Sequence, residues 1–121
     1  MDRMLASAGG LTLLLTAVHS ILGERLIFAR LREGGGWSEA ALNLLALRRW
    51  WAIRASWHLV SVLAAGVAAL LFAMAFGSVD VGKTLGLTFL VGAVYWAVAT
   101  RFGHPGWIVL GAIAGLLLVP I

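Results

Sequence analysis

Apolar residues run along this chain in four long stretches that no charge interrupts, at 4–23, 55–79, 84–100 and 102–121. Each is close to the ~17 to 25 residues that a helix needs to cross the ~30 Å hydrocarbon layer. The pattern predicts an all-α integral membrane four-helix bundle, with transmembrane helices at about 4–31, 50–77, 83–101 and 105–121. Gly34-Gly35-Gly36 breaks the first helix. Ser38 and Glu39 then supply a helix start, and Leu42, Leu45 and Ala46 recur at helical spacing up to Arg48-Arg49. That segment, 38–48, is too short to span and is amphipathic, so a short interfacial helix is expected between the first and second spans. Trp50 and Trp51 beside it resemble an interfacial aromatic belt. The links between the later spans are tight, at 78–82 and 102–106, the second punctuated by Pro105 and Gly106. The whole chain reads as a single transmembrane domain, 1–121.

Composition agrees with this pattern, since 62% of the 121 residues are hydrophobic and 12% are charged, where a soluble domain carries about 25% charged residues. The first stretch is as long as a full span and has no small-residue cleavage site behind it, so it reads as a retained helix rather than a secretory signal. With no cysteine there is no disulfide framework, thiolate metal site, iron–sulfur cluster or thiol nucleophile. The net charge of +4 comes from basic residues that flank the spans, which makes them topology signals facing anionic lipid, not a nucleic-acid surface. Arg25, Arg30, Arg32, Arg48, Arg49, Arg54 and Arg101 fall on the side of the first and third loops, and Arg3 and Lys83 on the other. By the positive-inside rule the first and third loops are then cytoplasmic and both termini are not. Gly82 with Gly86, and Gly111 with Gly115, form small-xxx-small pairs suited to close packing within the bundle or between copies of a homo-oligomer.

Polar groups are expensive in hydrocarbon, so those inside the spans carry the candidate chemistry. Thr12, Thr16 and His19 share one face of the first helix, with Ser20 and Glu24 on its edge. Arg54, His58, Ser61 and Ala65 form a stripe on the second. Consecutive spans run antiparallel, so counting inward from the shared boundary sets Glu24 against Arg54 as an ion pair and brings His19 and His58 to a similar depth. Tyr95, Trp96 and His104 lie toward the same side. The pattern admits three readings. In the first, His19, Glu24, His58 and His104 ligate a divalent transition metal such as Zn, Cu or Fe, or His19 and His58 hold a b-type haem, with Trp57 and Tyr95 completing a cofactor pocket. In the second, Glu24 is the proton-coupling acid of a small exporter: four short spans with an acid on the first helix resemble, superficially, a small multidrug-resistance exporter, although Glu24 lies near the end of its span. In the third, the chain is a non-catalytic membrane anchor or assembly subunit. Beside these stands a purely structural reading, in which Glu24 and Arg54 neutralise each other at the interface and each histidine hydrogen-bonds a hydroxyl or a backbone carbonyl across helices. Enzymatic constellations are thin. Asp2 and Asp80 lie opposite the histidines, which leaves no Ser-His-Asp set, there are no paired catalytic carboxylates, and 34–36 lack the Lys-Ser/Thr ending of a phosphate loop.

Overall fold

The computed structural model describes residues 1–29 and 47–120. The expected interfacial helix at 38–48 falls almost wholly outside them. The described residues are helical, with no strand among them: α1 Arg3–Leu22, a π-helical segment Gly23–Phe28 continuing it, α2 Leu47–Ala75, α3 Val81–Ala99 and α4 Gly106–Leu118. Local chemistry sets the ends. The Asp2 carboxylate caps α1 by accepting from the backbone N–H of Met4 and Leu5, and Asp80 caps α3 by accepting from that of Lys83. Gly77, at φ 73°, takes the left-handed position that closes α2, while Ser78 N–H returns to the Ala73 carbonyl.

Three of these helices, taking α1 with its π-helical extension, are long and apolar enough to cross a membrane: Arg3–Phe28, Arg49–Ala75 and Val81–Ala99. The last helix is shorter than the sequence pattern implies. Its 13 residues rise only about 20 Å at ~1.5 Å per residue, short of the ~30 Å hydrocarbon layer. Val119 has already turned extended at φ −73° and ψ 120°, ahead of Pro120, because the residue before a proline disfavours the helical region.

Packing is sequential. α1 lies on α2, α2 on α3 and α3 on α4, and any other pairing among the described helices is marginal. The arrangement is therefore an open series of antiparallel neighbours, not a ring closed by α1 against α4. The α1–α2 hairpin is tied at one end by Asp2 N–H donating to the Ala75 carbonyl at 2.8 Å. Leu11, Leu13, Leu14 and Leu15 on α1 are exposed, an apolar surface that suits hydrocarbon better than water.

The glycines show where helices approach most closely. A Cβ at Gly66 of α2 would overlap the Thr88 side chain of α3, and one at Gly86 of α3 would lie 2.6 Å from Leu118 Cγ of α4. Gly111 faces Ala93 Cβ at 3.9 Å, while Gly115 meets nothing within 4 Å. Gly86 and Gly111 thus both face the α3–α4 contact inside the chain.

Candidate functional site

The polar side chains of α1 and α2 meet near Gly23. Its missing side chain is required, because a Cβ there would overlap the Trp57 indole nitrogen. The π-helical turn starts at this residue, and Ala29 N–H reaches back five residues to the Glu24 carbonyl. Such a turn inserts in effect one residue into the helix and re-aims the side chains beyond it. Phe28 is thereby buried against Trp50, Trp57 and His58, with ring centroids at 5.6, 6.0 and 6.1 Å, and closes the cluster from below.

A continuous hydrogen-bonded chain runs between the two helices. Arg54 grips Glu24 with both ends of its fork, Nε to Oε2 at 3.0 Å and Nη2 to Oε1 at 2.7 Å. This bidentate geometry is the strong form of the pair. His58 Nε2 lies 3.0 Å from the same Oε2, and its Nδ1 lies 2.9 Å from Ser20 Oγ, which is 2.7 Å from Ser61 Oγ. A carboxylate only accepts, so His58 donates from Nε2, and in the neutral tautomer it accepts at Nδ1. Ser20 then donates to Nδ1 and accepts from Ser61, giving the order Ser61, Ser20, His58, Glu24, Arg54. Ser61 is buried, and the Glu24 and His58 side chains are 28% and 19% exposed. The Arg54 side chain, at 40%, is the accessible end.

His19 sits beside this chain but is bound differently. Its ring stacks on Trp57 with centroids 4.4 Å apart and planes 7° from parallel. Its Nε2 lies 3.2 Å from the Trp57 carbonyl, and Trp57 Nε1 donates to the His19 carbonyl at 3.2 Å. The acceptor is a carbonyl, so His19 carries its proton on Nε2. His104 is part of a separate arrangement at the start of α4. Its Nδ1 accepts from Trp96 Nε1 at 3.2 Å and from Gly106 N–H at 3.1 Å, which places its proton on Nε2.

These contacts rearrange the expected ligand set. Both nitrogens of His58 are engaged, one face of the His19 ring is covered by Trp57, and His104 serves the α3–α4 turn. Among the described residues no group of three or more His, Asp or Glu side chains is gathered to hold a metal. Trp57, expected as a platform for a planar ligand, has that role filled by His19. Thr12 and Thr16 turn back to the carbonyls of Ala8 and Thr12 in their own helix.

Ser20, His58 and Glu24 line up as hydroxyl, imidazole and carboxylate, an alignment that a search of the sequence for aspartates alone misses. Its signal lies in the adjoining positions of Ser20 and Glu24 on α1.

A cavity of about 190 Å³ opens on the far side of the chain, between α2 and α3, lined by Trp51, Arg54, Ala55, His58, Tyr95 and Ala99. Arg101 lies 4.3 Å above the Trp51 ring as a cation–π partner. It is held there by an unusual turn in which Arg101 and Phe102 both adopt the left-handed region, at φ 51° and 58°. No family model, curated protein or solved structure matches this chain.

Proposed function

We propose that the chain is a small integral membrane protein whose α1–α2 hairpin carries a proton relay, linked to occupancy of the cavity between α2 and α3. The observation that supports this reading is the unbroken series Ser61, Ser20, His58, Glu24, Arg54. An imidazole bonded at both nitrogens can take a proton at Nδ1 and release one from Nε2, and the carboxylate beside it can receive that proton. The relay reaches the cavity at His58, which lines its wall, and Arg54, which stays charged and passes no proton, couples the cavity to Glu24 through its ion pair. Intramembrane ionisable residues are the usual carriers of such steps. Among the three sequence readings this is closest to the proton-coupled exporter, with Glu24 as its acid. The metal reading gains no support, since no group of three or more His, Asp or Glu side chains is gathered among the described residues. In this reading four helices sit in the bilayer, α4 by the shortest path, with the Arg54 and Arg101 end cytoplasmic.

The test is proton movement in vesicles. Wild-type protein reconstituted into liposomes with an internal pH dye is expected to collapse an imposed pH gradient faster than empty vesicles. His58→Phe and Glu24→Gln are expected to abolish the difference, and Lys83→Gln, at the other end of the molecule, to keep it. Wild-type vesicles that behave like empty ones overturn the reading.

A further inference from the structure

The relay-side cavity has a neighbour along the same helix pair. A second cavity of about 460 Å³ lies between the same two helices, lined by Val62, Ala65 and Ala69 of α2 and Thr84, Leu87 and Val91 of α3, with Gly66 and Thr88 where the helices close. On α2 the two cavities share one stripe, 51, 54, 55, 58 and then 62, 65, 66, 69, which is helical spacing without a break. On α3 the stripe runs 84, 87, 88, 91 and then 95, 99. Only one turn separates the cavities on either helix, His58 from Val62 and Val91 from Tyr95. Small side chains at Ala55, Ala65, Ala69 and Ala99 widen the two hollows, while Leu59 against Gly92 stands between them and Gly66 meets Thr88 within the second.

The two ends differ in chemistry. The first end holds a guanidinium and a phenol with unused donors: Arg54 commits Nε and Nη2 to Glu24, while its Nη1 and the Tyr95 hydroxyl have no hydrogen-bond partner among the described residues. A further cation, Arg101, lies over Trp51, one of the residues that line this end. The second end is walled almost wholly by hydrocarbon. From His58 to Ala69 the trough extends about 16 Å at ~1.5 Å per residue, which is about one leaflet of a ~30 Å hydrocarbon core. A cationic end that suits an anionic head and an apolar half that suits a tail describe a membrane phospholipid, and basic pockets between membrane helices bind such head groups.

We propose that the α2–α3 trough binds an anionic phospholipid, its phosphate received by Arg54 and Tyr95 and one acyl chain laid between Val62–Ala69 and Thr84–Val91. The proposal rests on the reading that these helices lie in a bilayer, and it names the ligand whose occupancy adjoins the relay. The charge at Arg54 and Arg101 selects an anionic lipid over a zwitterionic one, and the apolar half of the trough selects a lipid over a free phosphate.

Native mass spectrometry of the purified full chain in detergent tests this, with phosphatidylglycerol, phosphatidylcholine of the same acyl chains and glycerol 3-phosphate as separate probes. Phosphatidylglycerol is expected to bind at least about fivefold more tightly than phosphatidylcholine, the factor one cation contributes. Arg54→Gln should remove that preference, Tyr95→Phe should reduce it, and Ala65→Phe, which fills the apolar half, should weaken both lipids. Lys83→Gln, which removes an equal charge elsewhere, should change nothing. Helix content by circular dichroism identifies any variant that fails to fold, and the wild-type comparison between the two lipids stands without variants. Equal binding of the two lipids overturns the proposal, as does glycerol 3-phosphate binding as tightly as phosphatidylglycerol. Carbonate extraction separates the two ideas: a chain released from membranes ends the bilayer reading and this one together, whereas a retained chain without lipid preference ends only this one. Lipid preference in a protein that moves no protons leaves this proposal standing and removes the relay.

Discussion

His19 and Trp57 bind each other twice, each donating a ring N–H to the other's backbone carbonyl at 3.2 Å while their rings stack at 4.4 Å. Side chain and main chain of two antiparallel helices are thereby locked in one register, which is what sets His58 opposite Ser20 and Glu24. Trp57→Phe retains an aromatic face and loses one donor. It is expected to lower stability by about 1 kcal/mol, the net value of one such bond, read by chemical denaturation in detergent micelles. An unchanged midpoint would show that stacking alone holds the register.

Gly23 is the point of closest approach between α1 and the Trp57 indole. Gly23→Ala places a methyl group where the indole nitrogen stands, and a packed indole has little room to retreat. A loss of about 1–3 kcal/mol is expected for such overpacking, accompanied by disruption of the relay. Stability equal to wild type, measured by the same denaturation, would mean that α1 and α2 separate freely at this level.

Ser20 and Ser61 act as one unit. Either alanine substitution leaves a partner unsatisfied, at about 1–3 kcal/mol, whereas removing both hydroxyls leaves fewer orphaned groups. A double-mutant cycle on Ser20→Ala and Ser61→Ala should therefore be non-additive by about 0.5 kcal/mol or more. Strict additivity would remove the link between them.

The turn after α3 places Arg101 in the left-handed region, where a Cβ is unfavourable by roughly 1–2 kcal/mol. Both Arg101→Gly and Arg101→Ala remove the cation over Trp51, so their difference isolates the backbone. Arg101→Gly is expected to be the more stable by about 1 kcal/mol, and thermal unfolding of the pair in micelles measures it.

Asp2 fastens the open end of the hairpin through its cap on α1 and its backbone bond to Ala75. Asp2→Ala should fray the first turn and cost about 1 kcal/mol, while Asp2→Asn should largely preserve it. Amide exchange at Met4 and Leu5, faster in Asp2→Ala than in Asp2→Asn, is the expected result.

Much of this architecture was legible in the order of residues. Long uncharged runs are legible as helices long and apolar enough to cross a membrane, and the charges at 24–25, 48–49, 54 and 101 mark where those runs end. The antiparallel sense of neighbouring spans was enough to put Glu24 and Arg54 at one level. Tertiary structure decided everything that depends on rotation about a helix axis and on contact across the chain. It turned α3 so that Gly86 and Gly111 serve the α3–α4 contact, left the series of helices open, and gave α4 only 13 residues. It also separated three histidines that look alike in sequence into three different bonds: His19 to a tryptophan carbonyl, His58 between a serine and a glutamate, and His104 beneath Trp96. Helix formation is local, settled by i to i−4 bonding and by the surrounding medium. The partner of an imidazole is settled by which helices can come close, and here that rests on residues as distant in sequence as Gly23 and Trp57.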